Sequence, residues 1–232
     1  MRLTVKSRNS LKTILNADKN MKTKTIKINS ERPERGKIKE VVRILNSGGI
    51  VAYPTDTCYG LGVGVTNVKA IMKLRKLKQR PLIKPISMIV SSLSMAEKYC
   101  VITPQIKLLV KKFMPGPLTI VTYKKPTVPD VLNKKEVSFR IPNNRVALAI
   151  VRSLKVPITS PSANPKNLKP AYSAEEVLHY FDGKIDAVID VGKLPKVKPS
   201  TVIDMKSTSP KLIRKGPISL TRIRKVLNES GF

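Results

Sequence analysis

A chain of 232 residues that is 41% hydrophobic can bury one core of ordinary to large size, or two small ones, and is not disordered as a whole. Forty-five Lys and Arg against fifteen Asp and Glu leave a net charge of +30, which favours anionic partners. No apolar run approaches the roughly 20 residues a bilayer requires, and the start is too polar for a secretory signal. Two cysteines, Cys58 and Cys100, build neither a disulfide scaffold nor a four-cysteine zinc site, so a reducing, cytoplasmic setting without membrane attachment is expected.

Residues 1–20 carry Arg2, Lys6, Arg8, Lys12 and Lys19 against one acid, Asp18, with weak periodicity and no turn chemistry. Three readings fit: a disordered basic arm, an over-extended start before Met21, or an acid-poor presequence, whose weak amphipathicity counts against it. Residues 21–232 read as one domain. Thr23, Thr25, Ile26 and Ile28 open it as a strand. Ile38, Val41, Val42 and Leu45 recur at helical spacing up to Gly48-Gly49, and Ile50–Tyr53 follows as a buried strand. Asn67 caps a helix carrying Ile71, Leu74 and Leu77 that must end before Pro81. Ile86–Val90 is strand, Pro104–Phe113 helix and Leu118–Tyr123 strand.

In Val137-Ser138-Phe139-Arg140-Ile141 the alternation places Arg140 on the face opposite Val137, Phe139 and Ile141. A helix over Val146–Leu154 and a strand over Val156–Ser160 come next, then a helix opened by a Ser173/Glu176 capping box. Strands at Ala187–Val191, Thr201–Met205 and Leu212–Arg214 precede a last helix with Leu220, Ile223, Val226 and Leu227. The strand–helix alternation predicts an α/β fold on a central, partly parallel sheet.

Several chemistries are excluded. There is no G-x-x-x-x-G-K-[ST] loop, and Gly60, Gly62 and Gly64 fail the dinucleotide fingerprint because Val65 stands where its last glycine belongs. His179 is the only histidine and reads as a surface or boundary residue, so a Ser-His-Asp triad, a Cys-His pair and a histidine-rich metal site are not expected. What remains is a set of polar segments beside strand ends: Tyr53 to Gly62, Lys78-Gln79-Arg80-Pro81, Arg140, Ser160 to Asn164, Ser200-Thr201 and Arg214. Ligands gather at strand ends of open α/β sheets, so these segments can share a cleft. Lys78, Arg80, Arg140 and Arg214 with hydroxyls around them suit a ligand with several anionic oxygens. Each has a plainer reading too: a solvated face for any one cation, turn chemistry for Asn164 and the Gly60/Gly62 pair. The joint pattern favours the functional one.

These blocks resemble, in order, the YrdC-like (TsaC-type) threonylcarbamoyl-AMP synthases. The resemblance rests on Gly48 to Gly62, on Leu77 to Pro81 with Lys84-Pro85, and on Pro115 to Thr119. It continues through Val137 to Pro142, Pro157 to Asn164, Ser200 to Asp204 and Ile213 to Gly216. It covers about Met21 to the C-terminus and is similar to the short, single-domain form. It implies a twisted open α/β mixed sheet flanked by helices, with a basic concave face. The implied activity joins L-threonine and bicarbonate or CO2 as a carbamate. The carbamate then attacks the α-phosphorus of ATP, giving threonylcarbamoyl-AMP and pyrophosphate. A partner protein then passes the threonylcarbamoyl group to tRNA. Mg²⁺ is implied on the phosphates, held mainly by ATP and water.

By the same resemblance Lys78, Arg80, Ser162 and Asn164 surround the ATP and the reacting groups, and Lys84 and Arg214 contact the nucleotide. Thr57, Arg140, Ser160 and Ser200 hold L-threonine, Arg140 at its carboxylate. Departures are Ile89, where many members have histidine, and Pro165-Lys166-Asn167 with Pro170 in a loop that usually reads otherwise. Two rival readings stand beside this one. An RNA- or ribosome-binding module of the same fold is favoured by the charge. A carbamoyl-transfer enzyme of the hydrogenase-maturation kind would carry cysteine-rich zinc segments that two cysteines cannot supply.

Overall fold

A computed structural model describes residues 22–231. The readings of residues 1–20 lie outside the described residues. In chain order the elements are β1 (Lys24–Lys27), α1 (Arg35–Asn46), β2 (Val51–Tyr53), β3 (Gly60–Gly62) and α2 (Val68–Leu77). Then come β4 (Met88–Ile89), α3 (Leu93–Tyr99), α4 (Pro104–Phe113), β5 (Leu118–Tyr123) and β6 (Glu136–Arg140). The chain continues through α5 (Arg145–Leu154), β7 (Ile158–Thr159), α6 (Ala174–Phe181), β8 (Ala187–Asp190), β9 (Thr201–Asp204), β10 (Lys211–Arg214) and α7 (Leu220–Asn228). The α/β expectation holds, with most elements where periodicity puts them. Asn67 caps α2 by accepting from the Ala70 amide, 3.0 Å. Ser173 caps α6, but Glu176 reaches the amide of Tyr172 at 2.6 Å, one residue before the cap of an ordinary capping box. Two elements escape the sequence reading: β3, too glycine-rich to look like a strand, and α3, whose cap is Ser92.

The strands form two mixed sheets where one was expected: β1-β8-β2-β3, and β10-β9-β5-β6-β4-β7. The smaller sheet is parallel through β1, β8 and β2 and antiparallel at β3. Its inner strands are buried on both faces, so period-2 alternation feeds two cores. Val51, Tyr53, Ala187 and Ile189 enter one with Val41 and Leu45 of α1 and Ile150 and Val151 of α5. Ala52 and Val188 enter the other, which also holds Ile71, Leu74, Ile120 and Phe139. The sheets meet where β3 and the turn after it reach β7 and the segment that follows β7, through isolated bridges Gly60↔Ser162 and Gly64↔Ile158. Glycine is needed in β3, because a Cβ on Gly62 would stand 2.9 Å from the Tyr53 ring.

The larger sheet has one apolar face and one polar face. Ile120, Phe139 and Ile203 point into the core. On the other face register aligns Thr119 with Val202, and Val202 with Arg214. A shift in the β9–β10 pairing between Leu212 and Arg214 decides where that arginine points. Continued unshifted, the register would set Arg214 opposite Thr201 and turn it to the other face; the bulge returns it to the side of Val202. Among the described residues no helix is long and apolar enough to cross a membrane. Gly216 packs backbone against backbone, since a Cβ there would lie 2.3 Å from the Thr201 nitrogen and 2.5 Å from the Pro199 oxygen. Neither atom can step aside, so Gly216→Ala is expected to lower Tm by about 2–10 °C, the range of a modest overpacking penalty. An unchanged calorimetric Tm would contradict this close approach.

Candidate functional site

Between the polar face of the larger sheet and the β3 end of the smaller one lies a cavity of about 410 Å³. Eight of the ten residues singled out in the sequence line it: Thr57, Lys78, Arg80, Arg140, Ser160, Ser162, Ser200 and Arg214. Its described lining contains no Asp or Glu. Each cation reaches it by a local device. Lys78 is the C-cap of α2, and Gln79 then takes a left-handed φ of 46°, so the chain reverses and the Arg80 amide donates back to the Arg75 carbonyl, 2.9 Å. Arg140 ends β6 on its polar alternation, and Arg214 ends β10 past the bulge.

The Lys78 ammonium donates to the Ser162 carbonyl at 2.8 Å and also to the Asn164 carbonyl, leaving one N–H for a ligand. Burial, with the neighbouring Arg80 charge adding, pushes Lys78 down to about 8. Arg140 is 7% exposed. Its Nη1 lies 3.2 Å from Asp56 Oδ1, yet neither atom has a hydrogen bond of acceptable angle, so the contact is ionic only. Its Nη2 makes a long 3.4 Å bond to Thr57 Oγ1. The guanidinium is therefore charge-balanced while its donors are largely unspent. Arg214 donates through Nε to the Ser200 carbonyl, 3.0 Å, and through Nη2 to Ser200 Oγ, 2.9 Å. Ser200 Oγ also lies 2.8 Å from Thr119 Oγ1.

Two predicted residues stand apart. Lys84 is exposed outside the cavity, its carbonyl rather than its ammonium being used, as acceptor for Arg75 at 3.1 Å. Asn164 is not in the lining either. Its Nδ2 donates to Leu168 O at 2.5 Å and Pro165 O at 3.1 Å, the turn chemistry its sequence allows, while its buried Oδ1 has no partner. The sequence reading missed Thr119, although its place between Leu118 and Ile120 on a strand is the signal of a polar face. It also passed over Asp56 as a counter-charge. Ile89 lines the cavity with an aliphatic side chain. Cys58 lines it too, but burial raises its thiol, the opposite of what a nucleophilic thiolate needs. His179 is exposed on α6, as expected. Among the described residues no three of His, Cys, Asp or Glu are grouped to hold a metal ion.

This two-sheet scaffold has known counterparts. The profile of the Sua5/YciO/YrdC domain, described as "Telomere recombination", matches residues 43–216. The chain belongs to this family. A Methanocaldococcus jannaschii protein provisionally named a threonylcarbamoyl-AMP synthase is 37% identical over 207 residues, covering 88% of this chain and 98% of that protein. The threonylcarbamoyl-AMP synthase of Pyrococcus abyssi is 36% identical over 209 residues, 88% of this chain and 62% of the relative. This chain thus spans about three fifths of the Pyrococcus protein and nearly all of the Methanocaldococcus one. The structure of P. abyssi Sua5 complexed with L-threonine superposes with a TM-score of 0.84 at 35% identity, over 89% of this chain and 62% of that one. The family of the sequence reading is thereby established, and its fold with it.

The Lys78 environment sets a pH dependence for anion binding by this Sua5/YciO/YrdC domain. Below the free-state value of about 8 the ammonium is charged and sulfate affinity should be level; as pH rises through about 8 the charge is lost and affinity should fall. Sulfate keeps its own charge over this range, and Lys78→Arg should remove the inflection. Identical pH profiles for the two proteins would exclude Lys78 as the titrating group.

Proposed function

We propose that this chain is an L-threonylcarbamoyladenylate synthase, a nucleotidyltransferase that makes threonylcarbamoyl-AMP and pyrophosphate from L-threonine, bicarbonate or CO2, and ATP. The product serves threonylcarbamoyladenosine formation in tRNA. The observation that carries this reading is the carboxylate-free cavity in which Lys78, Arg80, Arg140 and Arg214 converge beside hydroxyl donors. It is supported by the named activity of the relatives and by the threonine complex of the Pyrococcus protein.

The geometry supports the following roles. Arg140 has planar donors to spare and clamps the threonine carboxylate, with Thr57, Ser160 and Ser200 around the rest of the amino acid. The threonine amine adds to CO2 and loses a proton to become a carbamate. A carbamate oxygen then attacks the α-phosphorus while pyrophosphate leaves with the electron pair of the broken P–O bond. Lys78, Arg80, Ser162 and Arg214 face the phosphates, where positioning and charge neutralisation are the catalysis and no covalent intermediate is required. Asn164 acts by presenting its carbonyl to Lys78. Lys84 reaches the nucleotide only if its exposed side chain folds back over the rim. With no carboxylate in the lining, Mg²⁺ fits as an ion carried in on ATP and water, where it would neutralise phosphate charge.

The excess of Lys and Arg suits tRNA as a partner, a threonylcarbamoyl-transferase protein would take the next step, and the two free thiols suit the cytoplasm. The net charge of +30 also suits a non-catalytic RNA-binding module, for which Arg140 would be dispensable. Pyrophosphate release should require ATP, L-threonine and bicarbonate together. Arg140→Ala should raise the KM for threonine roughly 10- to 100-fold, the worth of a charge-assisted pair, with less effect on ATP. A folded wild type that binds RNA without threonine-dependent pyrophosphate release would favour the binding module.

A further inference from the structure

Ile71, Leu74, Arg75 and Lys78 share one face of α2, the face that enters the core. A leucine at position 75 would extend the apolar stripe; an arginine stands there instead, 4% exposed. Its guanidinium is held by carbonyl groups: Nε donates to Val131 O at 2.6 Å and Nη2 to Leu132 O at 2.5 Å. Nη1 donates to Pro81 O at 2.8 Å and to Lys84 O at 3.1 Å. The ion pairs among the described residues include none to Arg75.

The same wall grips the next turn of chain. Buried Asn133 accepts from the Ile86 amide, 2.9 Å, and its Nδ2 donates to the Ile86 carbonyl, 3.2 Å. The segment after Arg80 is thus fastened at residues 81, 84 and 86, although Leu82 and Ile83 at its tip are 49% and 88% exposed and pack little of their own surface. That segment in turn holds Arg80, whose Nη2 donates to the Pro85 carbonyl at 2.5 Å. Burying a charge without a carboxylate carries a desolvation cost that a leucine would avoid. What the arginine supplies, and a leucine could not, is order in the segment that aims Arg80.

The structure assigns Arg75 as a positioning residue for the nucleotide end of the site, acting through Arg80 with Asn133 as its second anchor. The assignment rests on the reading of this cavity as an ATP site. The test combines hydrogen exchange of the unliganded protein with ATP and L-threonine affinities for wild type, Arg75→Met, Arg80→Ala and the double variant. Arg75→Met should speed exchange at the amides between residues 80 and 86 while the other amides of α2 keep their protection. It should weaken ATP about tenfold or more and leave L-threonine within about twofold, and it should cost little further once Arg80 is already alanine.

Unchanged exchange at 80–86, or losses that simply add in the double variant, would overturn the assignment, because a general structural role predicts additivity. If Arg75→Met does not fold, Asn133→Ala enters the same cycle with the same expectations. Were the wild type to bind no ATP, the functional reading would fall, and the exchange comparison alone would decide whether Arg75 orders the segment.

Discussion

Four positive charges around one small cavity repel each other, and the rest of the molecule is arranged to hold them there. Like charges a few ångströms apart in a poorly hydrated space cost several kcal/mol unless each is compensated. Each cation has its own tether: carbonyls of residues 162 and 164 for Lys78, Asp56 for Arg140, Ser200 for Arg214, and the Pro85 carbonyl for Arg80. Three of the four tethers rest on backbone carbonyls, which fix position without cancelling charge. The residual field is left for a ligand, so a bound polyanion should gain what the empty site lacks.

Two sheets, rather than one, make this geometry possible. The larger sheet gives one face to the core and the other to the site, and the smaller brings the Thr55–Gly60 segment across from it. Each sheet has a short contact that only a small residue allows: Tyr53 against Gly62 in the smaller, and the backbone of residues 199–201 against Gly216 at the edge of the larger. No hydroxyl or thiol in the lining resembles an activated nucleophile: neither histidine nor carboxylate lines the cavity, and Cys58 is held as a neutral thiol by burial. Such a cavity is suited to bringing anionic reactants together, and phosphoryl-group chemistry asks for little else.

Much of this was legible in the sequence because it is local. Helix caps, the alternation that turns Arg140 away from Phe139, and the serine and threonine clusters beside strand ends are written within a few residues of one another. What was not legible is set by partners far apart in the chain. β3 is a strand because Leu61 pairs with Ala52, not because Gly-Leu-Gly favours extension. Arg214 faces the site through a one-residue bulge that no periodicity announces. Asn164 serves its own turn because Leu168 offers a carbonyl, and Lys84 gives its backbone carbonyl to Arg75 while its side chain is exposed. Arg75 did leave a signal, a charge on the apolar stripe of α2, and it marks the structural support of the site rather than its lining.

The account stands on one chemical claim, that this cavity joins a threonine carbamate to AMP. The direct measurement is NMR of the product formed from ¹³C-bicarbonate, L-threonine and ATP. The account predicts a labelled carbonyl coupled to the phosphorus of AMP, formed only when all three substrates are present. An adenylate without the label, in which the threonine carboxylate itself carries AMP, would contradict it, as would no adenylate from a folded protein that binds both ATP and threonine.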